Sequence, residues 1–391
     1  MNTRRQKLFV NARIVLTDEI VQGSVSVIDG KIESIDSESS YTAAADSTLV
    51  IDCEQDYLIP GLIELHTDHL ENHYLPRPNV KWNMMSAVQA HDAQISAAGI
   101  TTVYDCLRAG SASGDMFTAD EMLQLGQCLK TASDKGRLRA DHHIHLRCEV
   151  SAASMRDDFD RFSKSLDIAL VSMMDHAPGQ RQFTSLEAYA AYHQAKYQLS
   201  NEEFARFVEV RLADSERYSQ PHRHYLSENC KAMNIPLASH DDATEEHVSE
   251  SVNYGVCIAE FPTTSEAAKA SSSAGLDILM GAPNVVRGAS HSGNVSARSL
   301  LESHCLTVLS SDYVPSSLLS AVFLITQEFE LMSLPAALQL VTKNPAQRLG
   351  LNDRGEISTG LRADLVRIAL DQDQVCAPHV KAVWRCGERV M

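Results

Sequence analysis

Between residues 61 and 313 the chain carries eight apolar runs, each closing on polar residues and separated from the next by a stretch long enough for a helix: GLIEL, GITTVYDC, HHIHLRCEV, IALVSMMDH, IPLASHDD, GVCIAEFP, LDILMGAP and LTVLSSDY. Continuous apolar runs belong to strands covered on both faces, and strands alternating with helices pair in parallel. Eight such units predict an α/β fold built on a (β/α)8 TIM barrel, which collects its functional side chains at the carboxyl ends of the strands. The helical signals between the runs agree. Ser200-Asn201-Glu202-Glu203 reads as a capping box, Pro335 suits a first helical turn, and SEAAKA is a strong helix former.

The chain ends have a different pattern. Residues 8–16, 24–35 and 48–52 are β-like, and VIDGKIESI carries an Asp-Gly turn that signals a hairpin. The tail segments GEISTGLRADLVRI and HVKAVWRCGERV alternate in the same way. A small discontinuous β-sheet (sandwich) domain from residues 1–59 and 352–391 is therefore expected, flanking a catalytic barrel over 60–351. The formal charge of -17 argues against nucleic acid and against attraction to an anionic membrane surface, so an anionic substrate needs a locally cationic site. No apolar run approaches the roughly 20 residues of a membrane span. Nine cysteines without CxxC pairs read as reduced thiols of a cytoplasmic protein. A homodimer is the base-rate expectation.

The stretch PGLIELHTDHLENH loads the end of the first run with potential metal ligands. Side chains alternate along a strand, so His66 and Asp68 share one face and Thr67 and His69 the other. Glu149, His176, His240 and Asp312 close four further runs. Three imidazoles and three carboxylates suit one or two divalent ions, zinc or manganese with magnesium also admitted, and Glu149 is the expected bridge. Asp312 is the expected base that orients water and takes its proton. One strand-end His or Asp is ordinarily a cap or a satisfied surface group. Six on one rim, in strand order, point to ligation. His69, His73, His142, His143 and His145 are expected to be structural or to support the ligands from behind, with His145 and Arg147 on the Glu149 face.

A cationic set accompanies these ligands. Lys81, Arg147, Arg181 and Arg287 fall in or after the runs, and guanidinium forks match phosphate oxygens. In GAPNVVRGASHSGN, Asn284 and His291 add polar contacts beside glycines that let backbone amides approach an anion. Arg108 is expected to be a solvated surface charge.

The layout PGLIELHTD, a late SSD, then VTKNPAQRLGL and RGEISTGLRADLV resembles the amidohydrolase superfamily, including its split sheet domain. The longer strings HTDHLENHYLPRP, MDHAPGQRQF, LASHDDAT, MGAPNVVRGASHSGN and LSSDYVPSSLL resemble its phosphonate-pathway diphosphatase branch. That resemblance implies hydrolysis of a ribose 1-methylphosphonate 5-triphosphate, an anionic sugar-triphosphate phosphonate, to the 5-phosphate and pyrophosphate. Two departures matter. The superfamily's first-strand His-x-His is here His66-x-Asp68, and its bridging carboxylated lysine has no counterpart, so Glu149 takes that place unless Glu260 in AEFP does. Hard carboxylates move the expected metal from zinc toward manganese or magnesium. Two other readings are an amide or amidine hydrolase of the same fold, and a non-catalytic subunit of a phosphonate-processing assembly.

Overall fold

The computed structural model describes residues 6–37, 48–110, 116–178, 181, 200–288, 293–370 and 378–391. The amino-terminal strands are β1 (Gln6–Val15), β2 (Ile20–Ile28), β3 (Lys31–Asp36), β4 (Thr48–Asp52) and β5 (Tyr57–Pro60). Eight barrel strands follow: β6 (Leu62–Thr67), β7 (Ile100–Ala109), β8 (Asp141–Glu149), β9 (Ile168–Met174), β10 (Leu237–His240), β11 (Ile258–Glu260), β12 (Asp277–Gly281) and β13 (Val308–Ser310). The tail supplies β14 (Leu365–Ala369), β15 (His379–Arg385) and β16 (Glu388–Arg389).

Strands β6 to β13 pair in sequence order, every pair parallel. A parallel bridge from Thr67 to Asp312 brings the last strand back beside the first. The eight strands are the eight apolar runs. Their two faces are apolar for different reasons. Val103, Leu107, Leu146, Val171, Leu237 and Ile278 belong to the large cluster that packs under the helices. Tyr104, Leu170, Ala238, Ile258, Leu279 and Val308, each from a different strand, form the layer that fills the barrel. Two residues further along four of these strands, on the same face, stand Cys106, Ser172, His240 and Glu260, so the filling turns polar toward the carboxyl ends.

Helix boundaries follow the sequence signals. Ser200 and Glu203 complete a reciprocal capping box at the start of helix Asn201–Met233, and Pro335 lies in the first turn of helix Leu334–Gln339. Among the described residues no helix is long and apolar enough to cross a membrane.

The two chain ends build one sheet in the order β16-β15-β14-β5-β1-β2-β3, with β4 also on β1. Asp29 and Gly30 form the β2–β3 turn with φ of 50° and 82°, the left-handed pair a tight hairpin needs. This sheet is mixed: β4 and β5 run parallel to β1, whereas β2 pairs with β1, and β14 with β5, in antiparallel fashion. Phe9, Ile14, Val25, Ile32, Leu365 and Trp384 form its apolar core. Asp141, at the start of β8, ties it to the barrel by accepting from Arg354 at 2.9 Å and Arg385 at 2.9 Å and pairing with Arg362 at 2.6 Å.

Candidate metal centre at the barrel mouth

His66 is the next-to-last residue of β6, His240 the last of β10 and Glu260 the last of β11; register sets His240 beside Glu260. Glu260 lies between the two imidazoles, with one oxygen 3.0 Å from His66 Nδ1 and the other 3.1 Å from His240 Nδ1. The two rings stack with centroids 5.4 Å apart. An Nδ1–H donated to a carboxylate leaves Nε2 with a free lone pair, the arrangement that presents histidine to a metal. Burial pushes the His240 imidazolium down to about 3 and that of His66 well below its usual range, so both rings are neutral near pH 7.

A second trio shares His240. Asp241 Oδ2 lies 3.5 Å from His240 Nε2 and 3.9 Å from His176 Nε2, and this buried oxygen has no hydrogen-bond partner. Burial pushes the Asp241 carboxyl up to about 6. A buried carboxylate oxygen left without a partner is costly alone and is relieved by a cation. Asp241, Phe261 and Asp312 all adopt left-handed backbone (φ 59°, 51° and 52°), so three strand ends are turned sharply at the mouth. Strain of this kind costs on the order of 1–3 kcal/mol per residue and concentrates at functional sites.

The six expected ligands thus fall into distinct places. His66 and His240 share Glu260, and His176 joins His240 through Asp241. Asp68 lies 3.7 Å from Arg147, on the same rim. Asp312 is pushed up to about 7, first by burial and then by the Asp68 charge. Glu149 is engaged elsewhere: its oxygens accept from Ser151 Oγ at 2.6 Å and the His176 amide at 3.1 Å, and face His176 Nδ1 at 2.6 Å. That pairing raises His176 against the effect of burial and orients its ring, so Glu149 stands behind a donor, whereas Glu260 lies between two.

The cationic set divides similarly. Arg147 points into the mouth beside Asp68, its Nε donating to Met174 Sδ at 3.2 Å. Arg181 is buried, paired with Asp242 and with Glu250 at 2.6 Å, next to an Arg223–Asp175 pair at 2.9 Å. Its guanidinium is committed to carboxylates of the chain itself. Lys81 pairs with Glu121 and Arg108 with Glu71, Arg287 is exposed, and Asn284 Oδ1 accepts from the Ala297 amide at 3.0 Å. His291 lies outside the described residues. His145 is buried against Ser172 at 3.0 Å, and His143, on the same face of β8, stacks on Tyr104.

Sequence reasoning left Asp241 out, and nothing in SHDD separates it from Asp242, which instead accepts from Ser251 and pairs with Arg181. Glu260 was legible as the strand-end alternate of GVCIAEFP.

The donor set fits a divalent ion: His66, His240 and Glu260 form one group, and His176, His240 and Asp241 another, each with ligand atoms within 4.8 Å of one another. Fold and mouth together define a protein of amidohydrolase architecture. The Amidohydrolase family model matches residues 241–391. A solved amidohydrolase superposes with TM-score 0.65 at 15% identity, covering 98% of each chain, and 5-methylcytosine deaminase from Klebsiella pneumoniae with TM-score 0.64 at 14%, also over 98% of each. The chain is 44% identical over 381 residues, 97% of its length and 99% of the relative's, to the alpha-D-ribose 1-methylphosphonate 5-triphosphate diphosphatase of Escherichia coli (strain K12). It belongs to the family of that diphosphatase.

Proposed function

We propose that the chain hydrolyses α-D-ribose 1-methylphosphonate 5-triphosphate to the 5-phosphate and pyrophosphate. The observation that carries this reading is the near full-length likeness to the diphosphatase, joined to a mouth rich in cation donors. His66 and His240, oriented by Glu260, with His176, Asp241 and Asp68, would hold one or two divalent ions, zinc, manganese or magnesium, which when bound neutralise phosphoryl charge and acidify water.

The chain's own residues supply the rest. Asp312 takes the proton of the attacking water; a carboxyl with its affinity raised toward neutrality is a better base than an ordinary surface aspartate. The new bond joins the water oxygen to the α-phosphorus, the bond from that phosphorus to the bridging oxygen breaks, and the electron pair leaves with pyrophosphate. Arg147, inside the mouth, balances charge on the α-phosphoryl oxygens. Lys81, Asn284 and Arg287, together with His291, are the groups proposed for the outer phosphates, where the excess negative charge of the chain needs local compensation. We further assign residues 60–351 to the barrel domain and residues 1–59 with 352–391 to the sheet domain; the shared β-sheet of the two chain ends supports this division.

Phosphorus NMR of the chain with the ribose 5-triphosphate and manganese tests the reaction. Equimolar pyrophosphate and 5-phosphate are expected. Orthophosphate as first product would place the cut at the outer phosphate and refute the assignment.

A further inference from the structure

Outside the barrel, between strands β6–β8 and helix Met84–Ala97, lies a second histidine cluster that the mouth does not use. His69 is the N-cap residue of the short helix Leu70–Tyr74 that follows β6, His73 lies in its last turn, and His91 lies on helix Met84–Ala97. His69 Nδ1 and His91 Nδ1 face each other at 3.3 Å, and the His73 ring centroid is 4.8 Å from that of His69. The three offer ligand atoms within 4.8 Å of one another. We propose that His69, His73 and His91 form a second site for a divalent ion of the zinc class, separate from the barrel mouth and bound through their three imidazole rings.

Three features carry this. First, a zinc–nitrogen bond of about 2.0–2.1 Å in tetrahedral geometry puts neighbouring donor nitrogens about 3.3–3.4 Å apart, the separation His69 and His91 already show. Second, His91 Nε2 lies 2.7 Å from Asp105 Oδ1. Donation there leaves His91 Nδ1 as a bare lone pair aimed at His69, the carboxylate–histidine pairing that orients metal ligands. Asp105 is itself anchored by His142 Nδ1 at 2.7 Å, so the backing carboxylate cannot swing away. Third, His73 Nε2 is buried and has no hydrogen-bond partner. A packed but metal-free cluster leaves that nitrogen unsatisfied, and an ion satisfies it.

An ion there would fasten the turn after β6 to helix Met84–Ala97. His69 directly follows Asp68, so the ion would hold the rim position of Asp68 from outside the barrel.

The test uses the full chain stripped with chelator and titrated with Co²⁺, with bound metal counted per chain. The wild type is expected to bind one ion more than His73→Asn, whose replacement is at a partly exposed position. Asp105→Asn is expected to weaken that extra ion 10–100-fold. Anomalous scattering at the cobalt edge from crystals of the wild type needs no variant and should show a peak between the three imidazoles. Equal counts in wild type and His73→Asn, or cobalt peaks confined to the barrel mouth, would overturn the proposal. The readout is metal, not turnover, so it stands or falls apart from the diphosphatase reaction.

Discussion

Replacing Glu260 by glutamine isolates the residue around which the mouth is organised. The change keeps volume and removes one charge. In the native chain each carboxylate oxygen meets an imidazole nitrogen, at 3.0 and 3.1 Å, in a place where Glu260 is 1% exposed. Hydrogen bonds to a charged group contribute about 1.5–3 kcal/mol and neutral ones about 0.5–1.5 kcal/mol. The amide retains one acceptor oxygen and presents an NH2 to the other ring, so one histidine must turn over its tautomer and present the wrong nitrogen to the mouth. The lost contacts amount to roughly 1–3 kcal/mol, but the variant also no longer buries a carboxylate, which offsets part of the loss. The expected change in folding stability is therefore below about 2 kcal/mol. Metal affinity has no such offset, since both the charge and the tautomer of a donor are gone. It is expected to fall at least 10–100-fold, about 1.4–2.7 kcal/mol. Competition of Mn²⁺ or Zn²⁺ against a chromophoric chelator, with urea unfolding of the same sample, measures both quantities. Unchanged metal affinity in a folded E260Q protein would refute the placement of Glu260 at the centre of the site.

Asp312→Asn should lower turnover about 10²–10⁴-fold with substrate binding largely kept, measured by pyrophosphate release; a variant within tenfold of wild type removes Asp312 as the base. Stability should also respond to pH through His142, held up at about 9 by the Asp105 and Asp92 carboxylates against the effect of burial. Its folded value exceeds the unfolded 6.5, so its contribution is complete below about pH 6.5 and is lost as pH rises through about 9. Between those limits the wild type should lose about 2–3 kcal/mol more than His142→Gln in urea titrations, and equal losses would contradict the pairing. Asp141→Asn leaves Arg354, Arg362 and Arg385 without their shared acceptor and should cost about 1–3 kcal/mol, read as a lower melting temperature; no shift would show that the sheet is held to the barrel by apolar packing alone.

The barrel was legible because its cause is local and repeated. Eight runs apolar on both faces, with helices between them, leave few arrangements other than a parallel sheet covered outside and filled inside. The capping box at Ser200 and the Asp29–Gly30 turn were legible for the same reason, since each is settled within four residues. The mouth histidines His66 and His240 could be picked by alternation along a strand. What the linear pattern could not supply is which oxygen meets which nitrogen across strands far apart in sequence. Glu149 and Glu260 both end barrel strands, yet only Glu260 reaches two imidazoles, because register sets it beside His240 and closure of the sheet brings His66 over it. Asp241 and Asp242 are neighbours with opposite fates, one orphaned at the mouth and one locked to Arg181, a choice made by the left-handed turn at the strand end. Arg181 reads as a rim cation until the fold folds it under Glu250. The number of strands and their order are thus consequences of short-range pattern, whereas the identity of the cation-facing groups depends on distances between residues some 190 positions apart, such as His66 and Glu260, which only the closed barrel brings to 3 Å.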